Sequence, residues 1–263
     1  MTTSFKSFRT ASTPKSDGDS AVISFDATWV QGRGIYGGLL FASLIRVAEK
    51  KALFAIRNIS LELCAPVLPD IPCRIQCSQM RRGAQTAFYE IRLLQADEVC
   101  VFGSVMTGAD RQTTSHRVFT SAPTIQPYSA LTAISSQLMP AFSHQLEYKM
   151  AYGSPPFSGQ APNSGGWISF RNPGGPHDKA MSIALSDAWW PSYMSQITQL
   201  RAMGTVSFSA HFVESPSDSS PQPCQLFCET TSCTEGYLSE RNTLWDSQGR
   251  LLIEAHQRIA VIR

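Results

Sequence analysis

Gln257 is the side chain of this sequence that most needs a chemical explanation. In the closing strand expected at residues 250–262, strict alternation puts Leu251, Ile253, Ala255, Gln257, Ile259 and Val261 on one face. An amide buried there without a partner costs roughly a few kcal/mol, so it requires a side chain, a water or a ligand. Asp187 precedes the aromatic pair Trp189-Trp190. It either caps a helix, with Ser186 as the rival cap, or supplies a carboxylate for acid–base work. Thr205 alternates with Ser207 and Ser209, opposite Val206, Phe208 and Phe212. That makes it an exposed strand threonine unless a bulge or the start of the strand turns it inward.

Other reactive constellations fare worse. The chain has no GxSxG elbow. Alternation sends His256 to the face opposite Gln257, and His144, His177 and His211 have no evident partners. No His/Asp/Glu cluster has metal-ligand spacing, so neither a metal nor a cofactor is expected. Gly32-Arg33-Gly34-Ile35-Tyr36-Gly37 matches GxGxxG, with Glu62 at a distance suited to a ribose-binding acid. Such a fingerprint should follow a buried apolar strand, and Ala27-Thr28-Trp29-Val30-Gln31 is a poor one. Hairpins follow it where a dinucleotide fold would have βαβ crossovers. A dinucleotide-dependent oxidoreductase is therefore a minor alternative.

The 263 residues, 43% hydrophobic and 16% charged, suit a soluble globular chain with a substantial core. A net charge of +2 without a Lys/Arg stripe gives no argument for nucleic acid. The apolar run Ile35–Ile45 is too short to span a bilayer. Seven cysteines with no apolar signal segment point to reduced thiols and a cytoplasmic location. Cys73/Cys77 and Cys224/Cys228 share one spacing, but in strands residues four apart lie roughly 13 Å apart, too far for a disulfide.

The elements that must position these residues repeat. Residues 1–20 read as a disordered leader, and Ala21–Phe25 as a short strand. Gly37–Lys51 is a helix, apolar almost all round until its cationic end. Strands follow at 57–65, 72–80, 86–95 and 99–108, the last two joined across Ala96-Asp97-Glu98. A Ser/Thr/Pro-rich linker spans about 109–127, then a short helix near 128–139 and a strand at 146–150. Gly153–Gly166 is a loose stretch and Trp167–Phe170 a strand. A helix over about 180–200 and strands at 203–213, 224–231, 236–245 and 250–262 repeat the first pattern, with Asp246–Gly249 closing the last hairpin. An offset of 151 superimposes the cysteine pairs, Phe102 on Ile253 and Met106 on Gln257, while an offset of 147 lays Asn58 on Thr205. The units are residues 21–110 and 141–263, with the linker and short helix at 111–140. Each has one apolar helix and an antiparallel sheet long enough to wrap it, an α+β layer.

The pattern resembles the hotdog fold, and the tandem resembles the double-hotdog acyl-CoA thioesterases of the thioesterase II family. The likeness runs from about Val22 to Arg263, through Tyr36-Gly37-Gly38-Leu39-Leu40, Leu185-Ser186-Asp187-Ala188-Trp189-Trp190-Pro191, Gly204-Thr205-Val206 and Ala255-His256-Gln257-Arg258. It implies catalytic roles for Asp187, Thr205 and Gln257 in activating a water against an acyl thioester, with acyl-CoA or a related thioester as the partner molecule. Backbone N–H groups at Gly38 could serve an oxyanion, or Gly37-Gly38 could simply allow tight packing. Trp189, Trp190 and Tyr193 are candidates for the acyl tunnel, with core packing as their default role. The first copy carries Gly38, Asn58 and Met106 where the second has Asp187, Thr205 and Gln257, so one site per chain is expected. Homo-oligomers are common in such folds. A non-catalytic acyl-binding protein and a hotdog hydratase or dehydratase are the alternatives, the latter needing a histidine–acid pair.

Overall fold

A computed structural model describes residues 6–113, 117–137, 139–216 and 223–262. One antiparallel sheet of twelve strands dominates it. The strands are β1 (Lys15–Asp17), β2 (Ser20–Ile23), β5 (Ala55–Leu63), β6 (Cys73–Arg82), β7 (Thr86–Gln95), β8 (Glu98–Gly108), β9 (Leu146–Gly153), β10 (Asn163–Phe170), β11 (Ala202–Phe212), β12 (Cys224–Thr234), β13 (Tyr237–Trp245) and β14 (Leu251–Ile262). Two-residue strands β3 (Val30–Gln31) and β4 (Gly34–Ile35) pair separately. The helices are α1 (Phe8–Ala11), α2 (Gly37–Lys51) and α3 (Lys179–Ser186).

The order β1-β2-β6-β7-β8-β5-β11-β14-β13-β12-β10-β9 reads the same inward from both ends. It is the tandem hotdog with its two sheets joined edge to edge through β5 and β11, where Leu61 stands opposite Phe208. Irregularities prove the duplication. Bulges interrupt β5 between Ile56 and Asn58 and β11 between Thr205 and Ser207. They recur in β6 between Gln79 and Arg81 and in β12 between Thr230 and Ser232. A third pair falls at Leu93/Leu94 and Leu244/Trp245. A bulge leaves one residue unpaired and re-aims the side chains beyond it, so three shared positions carry more weight than strand order.

Alternation made these strands. In β14, Ile253, Ala255, Gln257 and Ile259 are buried while Glu254, His256 and Arg258 are exposed. Between β7 and β8 the turn residues Ala96 and Asp97 both have positive φ, 48° and 65°, as a two-residue hairpin matching strand twist requires. Helix α2 is buried from Gly37 to Ala48, leaving its cationic end at the surface. Helices α2 and α3 pack against each other as the centre of the core.

Several expectations need correction. The helix expected at 180–200 stops at Ser186, with Asp187 as its C-cap, and only a 3-10 turn, Ser192–Ser195, follows Pro191. Proline disfavours helical backbone in the residue before it, which keeps Trp190 out of a continuous helix. The short helix near 128–139 is a single 3-10 turn, Tyr128–Ala130; residue 138 lies outside the described residues. The stretch Gly153–Gly166 ends in β10, which begins at Asn163. The leader is also partly ordered, although residues 1–5 lie outside the description. Phe8 is 1% exposed and stacks on Phe170 at 4.0 Å, and β1 and β2 hold the places in the first half that β9 and β10 hold in the second. One buried aromatic outweighs the polar composition around it.

Candidate active site

Asp187 sits where the C-terminus of α3 meets the N-terminus of α2. The Gly38 N–H donates to its carboxyl, so the positive end of α2 faces a carboxylate. The Tyr36 hydroxyl, from the N-cap of α2, donates to the Ala184 carbonyl in the last turn of α3. Glycine is required at both positions between them. A Cβ on Gly37 would lie 2.7 Å from Asp187 Oδ2, and one on Gly38 would lie 2.2 Å from Tyr36 Oη and 2.8 Å from the Ala184 oxygen. Gly37 and Gly38 thus allow the two helices to approach closely, and the Gly38 N–H is directed at Asp187.

Gln257 has the partners its burial demands. It stands opposite Glu240 on β13 and opposite Phe208 on β11. Its Nε2 donates to Glu240 Oε1 at 2.7 Å, and its Oε1 accepts from Thr205 Oγ1 at 3.0 Å. Thr205 reaches it because of the bulge. Unbroken alternation from Phe208 would turn Thr205 to the outer face, whereas the unpaired Val206 brings it back beside Gln257.

Sequence patterns alone did not single out Glu240, Thr230, Ser192 and Asn242. Glu240 Oε2 accepts from Ser192 N at 2.5 Å, Ser192 Oγ at 2.7 Å and Thr230 Oγ1 at 3.2 Å. Asn242 Nδ2 donates to the Ser186 carbonyl at 3.0 Å, tying β13 to the residue before Asp187. A signal existed: Leu238, Glu240, Asn242 and Leu244 alternate onto one buried face, the same pattern that singled out Gln257.

The electrostatics are those of a desolvated acid. Asp187 keeps some accessible surface, yet its carboxyl lies deep enough that burial pushes its pKa up to about 8; the Gly38 N–H opposes this and repulsion from Glu240 adds to it. Burial likewise raises Glu240, against the pull of its hydrogen bonds from Ser192, Gln257 and Thr230. Beside Asp187, Tyr148 donates to the Ala188 carbonyl at 3.0 Å and meets Trp189 edge-on at 5.5 Å. Trp189 and Trp190 lie 4.7 Å apart, and both indole N–H groups are buried without a hydrogen-bond partner in the described residues. Tyr193 is half-buried and hydrogen-bonds Cys233.

The matching positions of the first half carry different residues. The shared bulges set the offsets at 149 for β5/β11 and 152 for β8/β14, correcting 147 and 151. Thr205 then corresponds to Ile56, Gln257 to Val105 and, through β7, Glu240 to Tyr89. Asn58 is two residues out of register, falling on Ser207, and Met106 is one, falling on Arg258. Counted from the N-caps Tyr36 and Asp178, Asp187 corresponds to Ile45, and Gly38 is its partner across the helix pair. Ile45, Ile56, Tyr89 and Val105 are all at most 2% exposed. At that end Asp178 instead accepts from Arg46 and Arg9 at 3.0 and 2.9 Å.

Among the described residues no group of three or more His, Cys, Asp or Glu could hold a metal. None of the seven cysteines forms a disulfide, and burial pushes the thiols of Cys73 and Cys77 up to about 11. No helix of the described residues is long and apolar enough to cross a membrane.

Sequence comparison decides the family. Residues 25–108 match the acyl-CoA thioesterase N-terminal domain, and residues 119–261 match the acyl-CoA thioesterase C-terminal domain. The chain belongs to the acyl-CoA thioesterase family. No curated protein is similar enough to this family member to count as a match. Among solved structures, a conserved hot dog fold protein of unknown function from Alicyclobacillus acidocaldarius is 20% identical with a TM-score of 0.89, covering 97% of this chain and 98% of its own. The tesB protein of Mycobacterium avium subs paratuberculosis is 13% identical with a TM-score of 0.80, covering 97% and 98%. The acyl-CoA thioesterase II TesB2 of Mycobacterium marinum is 13% identical with a TM-score of 0.74, covering 94% of each chain. At these identities the likeness of this thioesterase-family chain to them is one of fold.

Proposed function

We propose that this chain hydrolyses acyl-CoA or related acyl thioesters by direct attack of water, at one site per chain, with Asp187, Gln257 and Thr205 as its catalytic group. The observation that carries the proposal is the orientation of Gln257. Its nitrogen is committed to Glu240, so its oxygen faces Thr205 and keeps a second lone pair for a water proton. A water held by two acceptors, Asp187 and Gln257 Oε1, turns its own lone pair toward the thioester carbonyl. Its oxygen bonds to the carbonyl carbon while a proton passes to Asp187. The tetrahedral adduct then expels the thiolate, which takes that proton, leaving a carboxylic acid and a free thiol.

An acid with its pKa near neutrality suits this double role, because it accepts and returns a proton at little cost. Trp189 and Trp190, beside Asp187, form an apolar wall suited to an acyl chain; Tyr193, bound to Cys233, is assigned to its outer end. Ile45, Ile56 and Val105 in the matching places support a single site per chain. A homo-oligomer in the cytoplasm belongs to the same reading, with seven cysteines in no disulfide suiting a reducing compartment. A hydratase is disfavoured because the four described histidines are exposed or engaged elsewhere, His177 with Ser182 and His144 with the Ser136 carbonyl.

The test is release of free thiol from a panel of acyl-CoAs of different chain length. Turnover that disappears in Asp187→Asn supports the proposal. Saturable acyl-CoA binding without thiol release would make the chain a binding protein, and turnover undiminished in Asp187→Asn would overturn the assignment of the base.

A further inference from the structure

Glu240 is a buried acid on β13 that belongs to neither the family-derived trio nor the acyl wall. It is 2% exposed, and it stands in a row of facing side chains across three strands: Thr230 on β12, Glu240, and Gln257 on β14. Its two oxygens divide their work. Oε2 is held by Ser192 N, Ser192 Oγ and Thr230 Oγ1, while Oε1 accepts only from Gln257 among the bonds described. Three donors on one oxygen leave the carboxylate no freedom to rotate, so the other oxygen points permanently at the Gln257 amide.

We propose that Glu240 is the positioning residue of the site: clamped by Ser192 and Thr230, it holds the Gln257 side chain with nitrogen toward β13 and oxygen toward Thr205. A primary amide is nearly symmetric in shape, so packing alone does not choose between its two orientations. An acceptor-only carboxylate does choose, because only the amide nitrogen can donate to it. Phe208, on the other side of Gln257, offers no hydrogen bond that could make the choice. Glu240 does not contact the thioester; it acts through Gln257. The catalytic consequence rests on the hydrolase reading above, whereas the orientation itself does not.

The experiment therefore has two readouts. In the full chain labelled with 15N, the Gln257 side-chain amide pair is assigned by its loss in Gln257→Ala. In Glu240→Gln that pair should move or broaden, because a second amide at 240 can satisfy either orientation. With the best acyl-CoA of the panel, Glu240→Gln should lower kcat about tenfold or more with KM changed less than about twofold. In the Gln257→Ala background the same substitution should cost under about twofold, since its effect passes through the missing side chain. If Glu240→Gln does not fold, Thr230→Val removes one clamp remote from the substrate and should still shift the Gln257 amide. An unmoved Gln257 amide in a folded variant, or losses that add in the double variant, would overturn the proposal. A wild-type chain that hydrolyses nothing would end the hydrolase reading alone, and the amide resonance would still decide the positioning.

Discussion

Gln257 and Glu240 stand directly opposite one another on adjacent strands, joined by a 2.7 Å hydrogen bond from the amide nitrogen to the carboxylate. Both are buried, and neither has an equivalent in the first half, where Val105 faces Tyr89. The pair converts one strand position from core packing to polar chemistry. It holds only because Ser192 and Thr230 satisfy the rest of the carboxylate.

The pH dependence of turnover should carry the signature of Asp187. As the proposed base it must be ionised, and its pKa is lifted to about 8, mainly by burial. The rate should therefore rise with pH through a midpoint near 8 and level off above it, measured as kcat/KM over pH 5–10. A profile that is flat across this range in the wild type, or unchanged in Asp187→Asn, would count against Asp187 as the base.

Asp187→Asn should cost about 10²-fold or more in kcat yet stabilise the fold at alkaline pH. Between 3.8 and about 8 the folded chain keeps a proton on Asp187 that the unfolded chain releases, so stability falls as pH rises across that window. The asparagine variant lacks this slope. Its Tm should exceed that of the wild type at pH 8.5, and the difference should shrink toward pH 4, as followed by calorimetry.

Thr205→Val removes the hydroxyl that donates to Gln257 Oε1 and keeps the β-branched shape that the strand favours. Losing one such bond is worth about 0.5–1.5 kcal/mol, or roughly two- to tenfold in kcat. Far-ultraviolet circular dichroism should be unchanged.

Gly38→Ala should damage stability and activity together. The new Cβ would press on the Tyr36 ring and hydroxyl and on the Ala184 carbonyl oxygen, forcing α2 away from α3 and the Gly38 N–H away from Asp187. Overpacking of this kind costs about 1–3 kcal/mol or more. Urea unfolding should show the loss, and kcat should fall in protein that remains folded.

Ile56→Val tests whether the first half takes part. Ile56 occupies the place of Thr205 and is 2% exposed. The variant should lose about 0.5–1.5 kcal/mol of stability through the deleted methylene and leave kcat and KM unchanged. A selective loss of kcat would mean that the first half takes part in the chemistry.

The duplication, the strands and the burial of Gln257 are legible in the sequence because period-two alternation is a local property. The strand 86–95 coincides with β7, and the ends of the others agree to within four residues, the largest difference being the start of β10. Glu240 carries the same alternation signal in β13, but no motif points to it. Phe8 is hidden in a polar leader, and the end of α3 is masked because the apolar run through Trp189-Trp190 continues past Asp187.

The sequence by itself thus determined which residues line the buried face of each strand, and that two like units succeed one another. Tertiary structure alone decided what those residues touch. Thr205 meets Gln257 only because a bulge at Val206 reverses its facing, which depends on pairing with a strand some fifty residues away. Gly38 looked like the first copy's version of Asp187 and is its hydrogen-bond partner, because the two helices pack side by side in opposite directions. Alternation is set within a strand by backbone geometry, whereas register and helix contact are set between distant segments by what the whole core can pack.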